Sequence, residues 1–234
     1  MAGTLFLLPC PIATSPADAV LPAEVMQTAR RLDYFLAENA KSTRAFLKAV
    51  GHPRPLRELT IVEIGHHPAS DRTGAWLQPV VAGRDAALIA EAGCPAVADP
   101  GSTLVAAAHD AGVRVQPLVG PSSLLLALMA SGLDGQHFRF HGYLPVAAPE
   151  RAARLMSLER DSRSGETQFF IETPYRSRAL FDAILAACAN STRVCVAIDL
   201  TGPTEYVRTR RVADWKRASP PPLTRLPAVF LLLA

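Results

Sequence analysis

Short apolar runs alternate with helix-like patterns along most of this chain. That rhythm restricts its fold more than any other feature, because strands joined by helices form a largely parallel sheet with helices on its faces. Strand candidates are Leu5 to Leu8, Tyr34 to Ala37, Ile61 to Ile64, Ala86 to Ala90, Val113 to Leu118, Phe138 to Phe140, Gln168 to Ile171, Val194 to Ile198, Tyr206 to Thr209 and Ala228 to Leu233. Ser102 stands before Leu104, Val105, Ala108 and Ala111, which share one helical face, and Gly112 marks the end. Thr173-Pro174 reads as a second helix start, with apolar Leu180, Ile184 and Leu185 leading on to Val194. Beyond Val194 the strands follow one another with little helix between them, which points to antiparallel pairing. An N-terminal α/β lobe over 1–118 and a C-terminal α+β lobe over 119–234 are therefore expected, meeting at the Gly-Pro turn of Val119 to Ser123. Ser219-Pro220-Pro221-Pro222 is expected to be an extended surface loop.

Composition narrows the function. The 234 residues carry Lys+Arg 24 against Asp+Glu 21, a net charge of +3 that is too small to mark a polyanion binder. The longest wholly apolar run, Leu124 to Ala130, is far short of the roughly 20 residues a membrane span needs. The opening Met1 to Leu8 lacks a basic leader region and is broken by Pro9, so it reads as a first strand of a cytoplasmic protein. Cys10, Cys94, Cys188 and Cys195 form no Cys-x-x-Cys pair and stand beside no His at ligand spacing, so reduced buried thiols are expected and no metal site is. Phosphate-binding glycine motifs of the P-loop and dinucleotide kinds are also missing.

Three Gly- or Pro-rich turns fall where an open α/β sheet binds ligands, at the carboxyl ends of strands: Gly93-Cys94-Pro95, Asp99-Pro100-Gly101-Ser102 and Gly120-Pro121-Ser122-Ser123. Spacing alone fits equally well with ordinary connections. The sequences around them go further. Gly3 to Ile12, Glu91 to Gly101, Ala111 to Ser122, Gly142 to Pro145 and Glu172 to Arg176 occur in the order and spacing of the tetrapyrrole methylase superfamily. Within it the chain most resembles the branch of 16S ribosomal RNA cytidine 2′-O-methyltransferases. The resemblance implies a two-lobed α/β fold with S-adenosylmethionine in the cleft between the lobes, in a homodimer. It also implies that Pro11, Ile12, Ala92, Gly93, Cys94, Val97, Ser122, Ser123 and Glu172 bind the cofactor, with Leu200, Thr201, Pro227 and Ala228 near the adenine. Backbone amides and small apolar side chains suit a neutral adenosine, and direct methyl displacement needs no covalent nucleophile or metal.

An alcohol acceptor must lose a proton, which asks for a base. The acidic–Asp–Thr–Arg segment of the RNA branch is represented here by Glu38-Asn39-Ala40-Lys41, of which only Glu38 matches, and its His-Asn-Glu segment falls near His66-His67. Glu38 is the first candidate for base or acceptor positioning, with His66 and His67 next. Helix capping or pairing with Lys41 is the alternative for Glu38, and a surface loop for the histidines. Glu172 either orients a ribose or caps a helix, and Tyr175-Arg176 contacts either a phosphate or a carboxylate. Arg208, Arg210 and Arg211 form a basic strand that suits nucleic acid or serves only as a soluble edge. Three functions follow: methylation of an RNA ribose, with a ribosomal subunit as partner; methylation of a small molecule such as a tetrapyrrole; or a non-catalytic relative that binds cofactor or RNA.

Overall fold

The computed structural model describes residues 1–66, 70–223 and 225–234, which divide into two units, Met1–Ser122 and Ser123–Ala234. The division falls after Ser122 rather than at the expected Leu118. The Leu118 N–H still bonds to the Leu7 carbonyl at 3.1 Å, and the Cys94 thiol points to the Gly120 and Pro121 carbonyls, which ties this stretch to the first unit.

The first unit is a fully parallel five-stranded sheet of β1 (Thr4–Leu8), β2 (Tyr34–Ala37), β3 (Thr60–Glu63), β4 (Ala86–Ile89) and β5 (Arg114–Pro117), in the order β3-β2-β4-β1-β5. Its strands are short and apolar because both faces are covered. Phe6, Leu8, Phe35, Ala37, Ala87 and Ile89 pack under α1 (Ala17–Val20), α2 (Ala23–Arg31) and α3 (Ala40–Ala49). Their alternate neighbours Leu5, Tyr34, Leu36, Ala86 and Leu88 pack under α4 (Thr73–Val81) and α5 (Ser102–Asp110). Ser102 is the first residue of α5 rather than its cap. The Asp99 carboxylate takes the local amide protons instead, from Ala96 at 2.8 Å and Gly101 at 2.7 Å.

The second unit begins with α6 (Ser123–Ser131) and holds β6 (Phe138–Tyr143), α7 (Ala148–Ser162), β7 (Thr167–Glu172), α8 (Ser177–Ala187), β8 (Arg193–Ile198), β9 (Tyr206–Arg211), α9 (Val212–Arg217) and β10 (Ala228–Leu233). Its sheet runs β6-β7-β10-β8-β9 and is antiparallel except between β6 and β7. Regular helix starts at Ser177, not at Pro174, because a turn over Thr173–Arg176 comes first, closed by the Arg176 N–H on the Thr173 carbonyl. The core gathers Phe170, Phe181, Trp215 and Phe230, and the Trp215 indole N–H donates to the Val194 carbonyl at 2.9 Å. All four cysteines are free. Burial pushes the thiols of Cys10 and Cys188 up to about 12, while Cys94 is only half-buried. No helix among the described residues is long and apolar enough to cross a membrane.

Two carboxylates anchor the amino end of the first sheet. Asp33 accepts from Arg84 at 3.0 Å and Arg54 at 2.7 Å, and Asp85 from Arg31 at 2.7 Å and the Thr4 N–H at 2.9 Å. Partial burial alone would raise both carboxyls, but these hydrogen bonds and charges outweigh it and hold them below the ordinary 3.8. Such groups stabilise the fold fully above the ordinary value and lose that contribution as pH falls through the lower folded value. Between about pH 5 and 3 the thermal midpoint of an Asp33→Asn/Asp85→Asn variant should therefore fall less than that of the unaltered protein. Equal falls in a melting series would show that these three ion pairs carry no acid-sensitive stability.

Candidate functional site

The carboxyl end of β4 lies between β1 and β2. The chain leaves β4 toward the face of α5, whereas it leaves β1 and β2 toward the face of α2 and α3. Adjacent strands whose connections depart to opposite faces open a crevice between them, and ligands of α/β sheets bind there. The residues assigned to the cofactor in this unit gather on the β1 side. Gly93 pairs with Cys10 through N–H···O bonds of 3.0 and 3.1 Å, so the loop after β4 is sewn to the loop carrying Pro11 and Ile12. Gly93 has φ 74, and a Cβ there would stand 3.3 Å from Ile12 Cγ2 and 3.6 Å from the Pro121 carbonyl. Three strand-end loops thus converge on one point that only glycine suits. The Gly93 N–H and C=O are both used on Cys10, so this residue serves by close approach and not, as expected of the turn, by offering its own amide.

Downstream, Ala96 and Ala98 have left-handed φ of 64° and 58°, and Val97 between them is exposed. Such a conformation costs an L-residue roughly 1–2 kcal/mol and persists only where the surrounding structure holds it. Ala92 is exposed and Cys94 half-buried in the same loop, and Ser122 closes the unit.

On the β2 side of β4 stands the acceptor candidate. Glu38 follows β2, and its N–H still bonds to the Ile89 carbonyl at 3.0 Å. One carboxylate oxygen accepts from the Glu91 N–H and the other meets His66 Nδ1, each at 2.9 Å. Capping of α3 falls elsewhere: Asn39 Oδ1 accepts from Lys41 and Ser42, and Glu63 accepts from the Ala40 N–H. His66 lies beyond the end of β3, and His67 lies outside the described residues. The ligating atoms of Glu38, His66 and Glu91 come within 4.8 Å of one another. Glu38 already spends both oxygens on protein donors, and exposed acids gather in this way without an ion, so no metal is assigned.

In the second unit the register brings Glu172 and Ala228, both expected at the cofactor, to one end of the sheet, with Ala228 paired to Glu172 on one side and Ile198 on the other. The Asp199 N–H bonds to the Pro227 carbonyl at 3.2 Å, placing Leu200-Thr201 beside Pro227-Ala228. Asp199 and Thr201 are left-handed, φ 50 and 66, so four of the five left-handed non-glycine residues described, Arg225 being the fifth, lie in the two loops assigned to the cofactor. Ser123 begins α6. The buried Glu172 carboxylate accepts from the Thr173 N–H at 2.6 Å and from Arg176 Nε and Nη2 at 2.9 and 2.6 Å. Arg176 therefore meets a carboxylate, one of its two expected contacts, and Glu172 is left to meet a ligand through its backbone.

The profile of the Tetrapyrrole (Corrin/Porphyrin) Methylases matches residues 17–215. The chain belongs to the tetrapyrrole methylase family. Members of this family are methyltransferases that use S-adenosylmethionine, and this tetrapyrrole methylase is a methyltransferase. A Mesorhizobium japonicum protein named ribosomal RNA small subunit methyltransferase I is 34% identical over 93% of this chain and 71% of that one. The Pseudomonas aeruginosa protein of the same name is 30% identical over 92% and 73%. Among solved structures, the methyltransferase CobJ matches with a TM-score of 0.62 over 99% of this chain and 94% of that one, at 18% identity. The uroporphyrin-III-C-methyltransferase of Thermus thermophilus matches at 0.56 over 100% and 93%, with 19% identity. Both show that this tetrapyrrole methylase has the family's two-lobed α/β fold.

Glu91 and Pro121 escaped the sequence reading because they act through backbone groups, which no residue type advertises. Their only sequence signal was position inside the motifs. The Glu172 cluster can be tested directly: Glu172→Ala should lower unfolding stability in urea by about 2 kcal/mol, the scale of losing hydrogen bonds to a buried charge. An unchanged midpoint and slope would show that the cluster is not holding the turn.

Proposed function

We propose that this methyltransferase transfers the methyl group of S-adenosylmethionine to a ribose 2′-hydroxyl of ribosomal RNA. The observation that carries the reading is the loop after β4, which joins the glycine turn to the Glu38–His66 pair. Glu91, whose N–H holds Glu38, is two residues from Gly93, a span of at most about 7 Å. A cofactor-side turn and a proton acceptor that close together are what methylation of an alcohol requires. The relatives named for ribosomal RNA favour that acceptor over a tetrapyrrole, since they share far more sequence with this chain than CobJ does.

The glycine turn fits the cofactor because the missing Cβ lets the loops of Ile12 and Pro121 close on Gly93, which brings their proposed ligand contacts together. In the first unit Pro11, Ile12, Ala92, Gly93, Cys94, Val97 and Ser122 are its proposed contacts. In the second they are Ser123, Glu172, Leu200, Thr201, Pro227 and Ala228. The bound donor supplies an activated methyl carbon, and the chain supplies alignment and a base. Arg208 and Arg211 are exposed on β9, an edge strand, and suit an RNA backbone, whereas Arg210 packs over the Trp215 ring at 5.1 Å. A ribosomal substrate sets the cytoplasm as the place of action. Leu125 and Met129, exposed one turn apart on α6, support a homodimer.

Labelled methyl transfer to small ribosomal subunits, free RNA and tetrapyrrole precursors tests the reading. Label is expected on ribose in the ribosomal RNA and in no tetrapyrrole; label on a tetrapyrrole alone would reverse it. Gly93→Val should weaken S-adenosylmethionine binding by about tenfold or more in calorimetry with the circular dichroism spectrum retained, because a branched side chain at this left-handed position presses on Ile12 and the Pro121 carbonyl and displaces the loops proposed to hold the ligand. Unchanged affinity would remove Gly93 from the site. Light scattering at micromolar concentration should return twice the 25.0 kDa chain mass, and a monomer alone would end the dimer proposal.

A further inference from the structure

We infer that Glu38 and His66 form a dyad of unequal members, in which Nε2 of His66 takes the proton of the acceptor hydroxyl and Glu38 orients the imidazole without touching the acceptor. The assignment rests on the proposed RNA hydroxyl as acceptor, and it divides roles that the sequence leaves open between the two residues.

Three observations on Glu38 carry the division. Its carboxylate is held at both ends, by His66 Nδ1 and by the Glu91 N–H, each at 2.9 Å. Its side chain is 13% exposed against 65% for His66, so an incoming ribose meets the imidazole first. An ionised carboxylate only accepts hydrogen bonds, so the Nδ1 facing it carries the proton. In the neutral ring that leaves Nε2 bare, with its lone pair available. The carboxylate thus fixes the tautomer as well as the orientation. It is fixed in turn by the end of β4, whose Ile89 carbonyl takes the Glu38 N–H while the next loop supplies the Glu91 N–H. The Glu91 carboxylate lies in the same cluster and adds negative charge beside the ring.

The step balances. Nε2 accepts the hydroxyl proton as an oxygen lone pair forms the new C–O bond to the methyl carbon. The S–C bond breaks with its electron pair left on sulfur, giving a neutral thioether. The positive charge lost from the sulfonium reappears on the imidazolium, next to the Glu38 carboxylate.

A double-mutant cycle on methyl transfer to small subunits separates the roles. His66→Ala should lower kcat by about 100-fold or more, with KM within a factor of a few, and added imidazole should restore part of the rate. Glu38→Gln should lower kcat by about tenfold, and in the His66→Ala background it should cost almost nothing further, because a positioning residue has no task once its partner is gone. Nitrogen chemical shifts of the His66 ring, measured on the protein without substrate, should show the neutral ring protonated at Nδ1 and should change in Glu38→Gln. Near-normal turnover in His66→Ala with none in Glu38→Gln would make Glu38 the base and overturn the dyad, as would a neutral ring protonated at Nε2. Failure of the underlying reading looks different: the unaltered protein would bind S-adenosylmethionine and methylate no RNA.

Discussion

The connectivity of β4 governs the first unit. From β1 to β2 and on to β3 the chain steps one way across the sheet, and its helices cover one face. From β3 to β4 and on to β5 it steps back, and its helices cover the other. Crossovers between parallel strands are almost always right-handed, so reversing direction obliges the helices to change faces. β4 therefore ends between two neighbours whose chains turn away from its own. The loop after it meets Cys10 through Gly93 on the β1 side, and Glu38 with His66 through the Glu91 N–H on the β2 side.

The second unit reaches a comparable result by antiparallel pairing. Glu172, Ile198 and Ala228 are distant in sequence but fall in one row, because β10 lies between β7 and β8. Glu172 is aimed inward at Thr173 and Arg176, so its loop is stiffened by its own charge pair. Left-handed Asp199 and Thr201 add backbone strain at the neighbouring loop, as Ala96 and Ala98 do in the first unit. Strain concentrated in these loops implies that the surrounding packing over-determines them, the usual condition for a preorganised ligand contact.

Where the chain departs from the acidic–Asp–Thr–Arg pattern of the RNA-modifying branch, the structure shows what the substitutes do. Asn39 caps α3 with its side chain, a task short polar residues perform well, and Ala40 yields its N–H to Glu63. These tasks are local and structural, which leaves Glu38 free to face His66. One matching residue in that segment is thus enough to hold the His66 ring.

The sequence by itself determined the alternation of strands and helices, the change to antiparallel pairing after Val194 and the family motifs, because hydrophobic periodicity and turn residues are written locally. Strands such as Tyr34–Ala37 and Ala228–Leu233 begin and end where their apolar runs do, since buried strands need unbroken apolar side chains. Helix starts were less legible: the turn before α8 is closed by a backbone bond from Arg176 to Thr173 and braced by Glu172, and a Thr-Pro pair does not reveal either contact. Only the tertiary structure decided that Glu38 meets His66 and not Lys41, that Gly93 spends its amide on Cys10, and that Arg176 belongs to Glu172. Strand order sets which loop ends become neighbours, and a hydrogen bond forms between whichever groups that order brings within about 3 Å, whatever their distance along the chain.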